Sequence, residues 1–186
     1  MRSPAITLPL TPVDETLVGG KRSSHRELVL VAAEADGRVR LAHAENNDEG
    51  TLKSFADSQI ASDTQVVTDG LASYNSDSLG ERPHQAIVQT KQERRDSDAL
   101  QGCHWTTSLL KRWLLGTHAG AVRPKHLQAY LDEFAFRHNR RKTNGVGRIA
   151  ARVIEQLVAR RLLTMRKLID QTPRCRWFAS DQYAVA

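Results

Sequence analysis

Asp14, Asp69 and His104 are the side chains whose types and spacing suit chemistry best. Asp14 lies within Val13-Asp14-Glu15-Thr16-Leu17-Val18, a strand-like run closed by Gly19-Gly20, and aspartate is normally depleted from strands. Asp69 ends the apolar run Thr64-Gln65-Val66-Val67-Thr68 and precedes Gly70. A carboxylate at the C-terminal end of a central strand is where an open sheet presents its site. The two are 55 residues apart, enough chain for a hairpin and a helix to return beside the first strand. On neighbouring strands their carboxylates would converge, and a hard divalent cation such as Mg²⁺ best relieves that repulsion. Each residue also has an ordinary role open to it: an edge carboxylate for Asp14, a turn for Asp69-Gly70.

His104 follows Asp69 by 35 residues, at the start of a helical segment carrying Lys111 and Arg112. Seven residues turn a helix by about 700°, close to two full turns, so His104 and Lys111 share a face. An imidazole there can ligate a metal or carry a proton, and a lysine can hold a phosphate. A partly exposed helix-start histidine beside a surface lysine is the plainer alternative.

Positioning these groups requires a mixed α/β frame. Glu27 to Ala33 and Arg38 to His43 read as a hairpin about Asp36-Gly37, with Val13 to Val18 as a third antiparallel strand. Glu49 to Ile60 has helical spacing, with Leu52, Phe55, Ala56 and Ile60 on one side. Strands follow at Thr64 to Thr68 and His84 to Val88, and the polar stretch Gln89 to Gln101 predicts a mobile loop. Thr106, Leu109, Leu110, Trp113 and Leu114 stripe one helix. Pro124 opens a second, which would bury Leu127, Tyr130, Leu131 and Phe134, and a third is expected from about Ile149 to Leu163. This order matches a ribonuclease-H-like sheet followed by C-terminal helices, although periodicity alone leaves ferredoxin-like and other α/β arrangements open. The expected division is a core over residues 1–165 and a tail of unclear structure over 166–186.

Composition narrows the partners. The 186 residues carry a formal net charge of +6, yet residues 104–186 hold 16 basic and five acidic side chains while residues 1–103 hold 11 basic and 16 acidic. A basic half points to an anionic partner, nucleic acid being the commonest, and a solvated basic surface is the alternative. No stretch approaches the roughly 20 apolar residues of a membrane span. Two cysteines, Cys103 and Cys175, cannot supply a four-ligand zinc site. A soluble intracellular protein without a membrane partner is expected.

Three motifs carry a family resemblance. Asp14-Glu15-Thr16-Leu17-Val18-Gly19-Gly20-Lys21 resembles the D-E-x-x-x-G-G-K opening of bacterial DDE-class insertion-sequence transposases of the ISXO-like branch. Val67-Thr68-Asp69-Gly70-Leu71-Ala72-Ser73-Tyr74 is similar to their second-aspartate motif. The run from Ser108 through Lys111-Arg112-Trp113 to His118, continuing over Lys125 to Phe134 and Arg137 to Arg141, resembles their long helical signature. The resemblance covers roughly residues 8–160 and implies a ribonuclease-H-like catalytic core. By it Asp14 and Asp69 would be the first two catalytic metal ligands, His104 the third position and Lys111 the basic residue after it. Arg112, Arg137, Arg140, Arg141 and Lys142 would bind DNA.

The implied activity is Mg²⁺- or Mn²⁺-dependent cleavage and strand transfer on double-stranded DNA, at transposon ends and target, by a homo-oligomer in the bacterial cytoplasm at the nucleoid. An imidazole ligand would favour Mn²⁺ somewhat. Against the family pattern only 13 residues precede Asp14, so an N-terminal zinc ribbon is expected to be lacking. Leu17 and Leu71 replace expected aromatics, and Pro12 interrupts the first strand's donors. A truncated, inactive remnant that binds DNA is therefore the second reading, and another ribonuclease-H-fold nuclease the third.

Overall fold

A computed structural model describes residues 10–18, 26–34, 37–74, 79–118 and 123–159. Its sheet has five strands: β1 (Leu10–Val18), β2 (Glu27–Ala33), β3 (Val39–Ala44), β4 (Gln65–Thr68) and β5 (His84–Ala86). The helices are α1 (Glu49–Gln59), α2 (Lys91–Asp96), α3 (Gln101–His118), α4 (Pro124–Asn139) and α5 (Val146–Val158). The strand order is β3-β2-β1-β4-β5, with the β1–β2 and β2–β3 pairs antiparallel and the β1–β4 and β4–β5 pairs parallel. This is the ribonuclease-H-like mixed sheet that the element order predicts. The glycines after β1, the Asp36 half of the hairpin turn and everything from residue 160 on, including the expected boundary at 165 and the tail, lie outside the described residues.

Strand alternation divides the core in two. Val29, Val31, Ala33, Val39 and Leu41 pack with Leu110, Leu114, Leu127, Leu131 and Phe134 of α3 and α4 on one face. Val13, Leu30, Ala32 and Ala44 pack with Leu52, Phe55, Ala56 and Ile60 of α1 on the other. Burying each such leucine stabilises the fold by about 1.5–3 kcal/mol. Asp48 caps α1, its Oδ1 accepting the Thr51 N–H at 2.8 Å. Pro12 does not break the central strand. It is the last residue registered on β4, and Val13 is the first registered on β2, so its missing donor falls at the hand-over between two partners.

The region after β5 differs from the expected mobile loop. Thr90 and Glu93 form a reciprocal capping box that starts α2, with the Thr90 N–H donating to Glu93 at 2.7 Å. Low apolar content hid the helix from periodicity, but its T-x-x-E signature stands in the sequence.

The signature over α4 has a structural use. β3 is an edge strand, and edges left open invite foreign pairing. Gln128 and Asn139 are 11 residues apart, about three turns, and so lie on one face of α4. Asn139 accepts from the Val39 N–H at 2.8 Å and donates to the Val39 carbonyl at 3.0 Å. Gln128 accepts from the His43 N–H at 2.9 Å and donates to the Leu41 carbonyl at 3.4 Å. Two amides thus take the place of a sixth strand. Asn139→Ala leaves the Val39 groups without this partner and is expected to destabilise by about 1–3 kcal/mol, read by chemical denaturation. A loss indistinguishable from zero would mean that water replaces the amide without cost.

Candidate active site

Asp14 stands in the middle of β1, opposite Val31 of β2, and faces α3. The β1–β4 pairing holds a constant offset of 55 residues, Leu10 on Gln65 through Pro12 on Val67. The same offset carries Asp14 to Asp69, one residue beyond the end of β4. The Asp69 charge acts on Asp14 and helps raise its carboxyl, so the two side chains lie within electrostatic reach of each other. The loop after β4 is braced to hold Asp69: its carboxylate accepts the Leu71 N–H at 3.1 Å, and Thr68 Oγ1 meets both the Gly70 N–H and His84 Nε2. Gly70 has φ +85°, and a Cβ there would lie 2.7 Å from Val88 Cγ2, so the turn favours glycine.

Glu15 points to the opposite sheet face, where it accepts the Tyr74 hydroxyl at 2.7 Å. That bond ties the end of the Asp69 loop back to β1. Burial, then the Glu15 carboxylate, drives the Tyr74 hydroxyl far above its ordinary range and keeps it protonated. Burial raises the Glu15 carboxyl, and repulsion from Asp69 and Asp14 adds to it against the Tyr74 bond. Burial likewise raises Asp14 above the usual carboxylate range, helped by Asp69; the Glu15 N–H, His104 and Arg94 oppose it and do not prevail.

α3 delivers His104 to this place. Its first turn presses on β2: a Cβ on Gly102 would stand 3.1 Å from that of Ala33. The buried Cys103 thiol donates to the Pro12 carbonyl at 3.2 Å. His104 follows with Nε2 3.4 Å from Asp14 Oδ2 and Nδ1 2.6 Å from Asp98 Oδ2. Asp14, Asp98 and His104 are each partly open to solvent, their side chains 15%, 16% and 32% exposed.

The basic residues divide into two groups. Lys111 and Arg112 are exposed on α3, with Lys111 about 10 Å along the helix from His104. Arg137, Arg140, Arg141 and Lys142 cluster at the end of α4, which packs on β3, two strands away from β1. Arg137 pairs with Glu133 at 2.7 Å, Arg140 stacks on Phe136, and Arg141 donates to the Gly37 and His138 carbonyls. The structure therefore sets His104 beside Asp14, leaves Asp69 at the matching register position within reach of the Asp14 charge, and keeps the α4 cluster apart.

Sequence reasoning passed over Asp98 and Arg94. Arg94 lies on α2, exposed, near enough to Asp14 to act on its charge. The capping box at Thr90 was the available signal for it. Asp98 carried no signal beyond standing two residues before Leu100, whose N–H it accepts at 3.0 Å.

A divalent cation suits this donor set. Asp14 and Asp69 offer hard oxygen donors on adjoining strands, and the Asp14 carboxyl is raised by burial and by the Asp69 charge. Among the described residues no three His, Cys, Asp or Glu side chains form a ready cage. Mg²⁺ needs none, since it takes one or two carboxylates and completes its shell with water and substrate phosphate. Among the same residues no helix is long and apolar enough to cross a membrane.

Comparison with known proteins agrees with this frame. Among solved structures, a chain of the simian T-cell lymphotropic virus intasome, in complex with PP2A regulatory subunit B56 gamma, matches with a TM-score of 0.50 at 13% identity. The match covers 70% of this chain and 48% of that one, so the chain spans about half the length of its relative, and the likeness is one of fold. The HTLV-2 integrase catalytic core domain in complex with magnesium matches in its trimeric form with a TM-score of 0.47 at 13% identity, over 75% of this chain and 92% of that one. Its dimeric form gives 0.47 and 13%, over 70% and 85%. No curated protein matches. The family model of the ISXO2-like transposase domain matches residues 12–139, which include Asp14, Asp69, His104 and the whole α3–α4 signature, and the chain belongs to that family.

Proposed function

We propose that this chain is the catalytic domain of a DNA transposase, cleaving phosphodiester bonds and transferring strands of an insertion sequence with Mg²⁺ or Mn²⁺. The observation that supports the reading is His104 set beside Asp14, with Asp69 at the register position one residue past β4, in a chain of transposase family. Asp14 and Asp69 would hold the cation, with His104 beside them. When bound, the cation supplies Lewis-acid activation of a water or a DNA 3′-hydroxyl and charge stabilisation for in-line displacement.

The chain's own groups do the rest. Asp14 and Asp69 set where negative charge gathers, and their partial burial strengthens the field there. His104 Nε2, beside Asp14, is placed to accept or return a proton. Arg94 approaches the same carboxylate from α2 and would meet the attacked phosphate, while Lys111 and Arg112 would take phosphates further along α3. The arginines at the end of α4 would bind more distant DNA, with part of their charge already engaged locally. Two transposon ends must be held together, so a homo-oligomer on double-stranded DNA is the working form, in the bacterial cytoplasm at the nucleoid.

The test is incubation of the purified protein with Mn²⁺ and a duplex carrying the terminal sequences that flank its gene. Strand-specific nicks at the element boundary, absent with EDTA, are expected. Salt-sensitive binding with no cleavage at any metal concentration would instead identify a DNA-binding remnant.

A further inference from the structure

We propose that Asp98 is a positioning residue for this site: it fixes the His104 ring and holds a proton on Nδ1, so that Nε2, beside Asp14, is the nitrogen that gives up its proton to bind a cation or to act as base. The inference rests on the reading of Asp14, Asp69 and His104 as the reacting centre. Its basis is the juxtaposition of three side chains, with Asp98 Oδ2 2.6 Å from Nδ1 and Asp14 Oδ2 3.4 Å from Nε2 of one imidazole.

The geometry favours this role over helix capping alone. Asp98 Oδ1 accepts the Leu100 N–H at 3.0 Å, which serves the start of α3. Capping requires only that oxygen, and the other was free to turn to water. Oδ2 instead makes the shorter contact of the two, within the range of charge-assisted bonds. The segment that carries it is braced from both sides. Gln89 accepts the Ala99 N–H at 2.9 Å and donates to the Ser97 carbonyl at 2.6 Å, so Asp98 is flanked by two fixed peptides. The ring's own backbone is anchored by the His104 N–H on the Leu100 carbonyl at 3.0 Å.

An imidazole carries one N–H in its neutral form, and the partner of one nitrogen decides which nitrogen bears it. An ionised carboxylate accepts only, so Asp98 at 2.6 Å selects the Nδ1–H form. Nε2 is then left to ligate or to take up a proton at the one place where Asp14 presents its oxygen. Carboxylate–imidazole pairs behind a metal site act in this way, and their loss typically costs 10- to 100-fold in metal affinity.

The experiment is long-range ¹H–¹⁵N correlation of the histidine rings in the metal-free full chain at alkaline pH, with His104 assigned from the signal missing in His104→Gln. The wild type is expected to show His104 as Nδ1–H. Asp98→Ala should move the ring to Nε2–H or a mixture, while Asp98→Asn, whose amide oxygen still accepts, should retain Nδ1–H. Titration with Mn²⁺ should give binding about 10- to 100-fold weaker in Asp98→Ala, with partial recovery in Asp98→Asn. A wild-type ring protonated on Nε2 overturns the assignment, as does a tautomer indifferent to Asp98→Ala. If Mn²⁺ fails to bind the wild type while the tautomers behave as stated, the metal-dependent reading falls and the role of Asp98 stands.

Discussion

Asp14→Asn should leave the metal-free protein more stable than the wild type while removing metal-dependent DNA cleavage, by about a thousandfold or more. The activity loss follows from deleting one of two carboxylates that would hold the cation, whose stabilisation of the reacting phosphate amounts to several kcal/mol, at about 1.4 kcal/mol per tenfold in rate. The stability gain follows from linkage. Burial first, and then Asp69, hold the Asp14 carboxyl above its unfolded value. The folded chain therefore binds more protons in the window between the two values. The favourable contribution is fully present below the unfolded value and is lost as pH rises through the folded one. At neutral pH the ionised Asp14 is a net cost that asparagine avoids. Thermal melts of the metal-free proteins at pH 7.5 should place the variant above the wild type, with the gap closing toward about pH 4, near the ordinary carboxylate value. Adding Mg²⁺ at 100 times its dissociation constant should stabilise the wild type by about 2.7 kcal/mol and the variant not at all. A metal-free variant that melts below the wild type would mean that the His104 and Glu15 contacts outweigh burial, and full retained cleavage would remove Asp14 from the site.

The second large effect concerns the helix that brings His104 to the sheet. Leu110 is fully buried in the cluster that joins Val29 and Val31 of the sheet to Leu127 and Leu131 of α4. Leu110→Ala removes apolar contact and leaves a cavity bounded by a sheet and a second helix, neither of which can close it freely. A loss of about 2–5 kcal/mol is expected, against a whole-domain stability of about 5–15 kcal/mol. Leu115, on the same helix and 66% exposed, is the control: Leu115→Ala should stay within about 0.5 kcal/mol. Equal losses at the two positions, by urea unfolding, would mean that α3 does not pack as described. Where Leu110→Ala still folds, a shift of α3 by about 1 Å would carry His104 off Asp14 and cost about a hundredfold in cleavage.

Much of the candidate site was legible in sequence because it depends on short-range rules. The strand pattern puts Asp14 within one strand and Asp69 at the end of another, and their 55-residue spacing is the offset that the β1–β4 pairing keeps. Helical period put His104 at the head of α3 with Lys111 two turns on. The motifs added the family, which the match over residues 12–139 bears out. The polar stretch after β5 was misjudged because apolar periodicity is silent where a helix is held by its cap, as Thr90 and Glu93 hold α2. The third helix, expected over about Ile149 to Leu163, is described as α5 over Val146–Val158, and none of its residues is buried. Periodicity says that a face is apolar and not what covers it.

Sequence by itself thus determined which residues stand at which end of which element, since backbone geometry fixes the repeat along a strand or helix. Only the tertiary structure decided that Asp98 reaches the His104 ring, that Arg94 comes within the field of Asp14, and that Gln128 and Asn139 close the edge of β3. Those contacts are set by how helices dock on the sheet, through packing of side chains as far as 100 residues apart in the chain, and no local repeat encodes that docking.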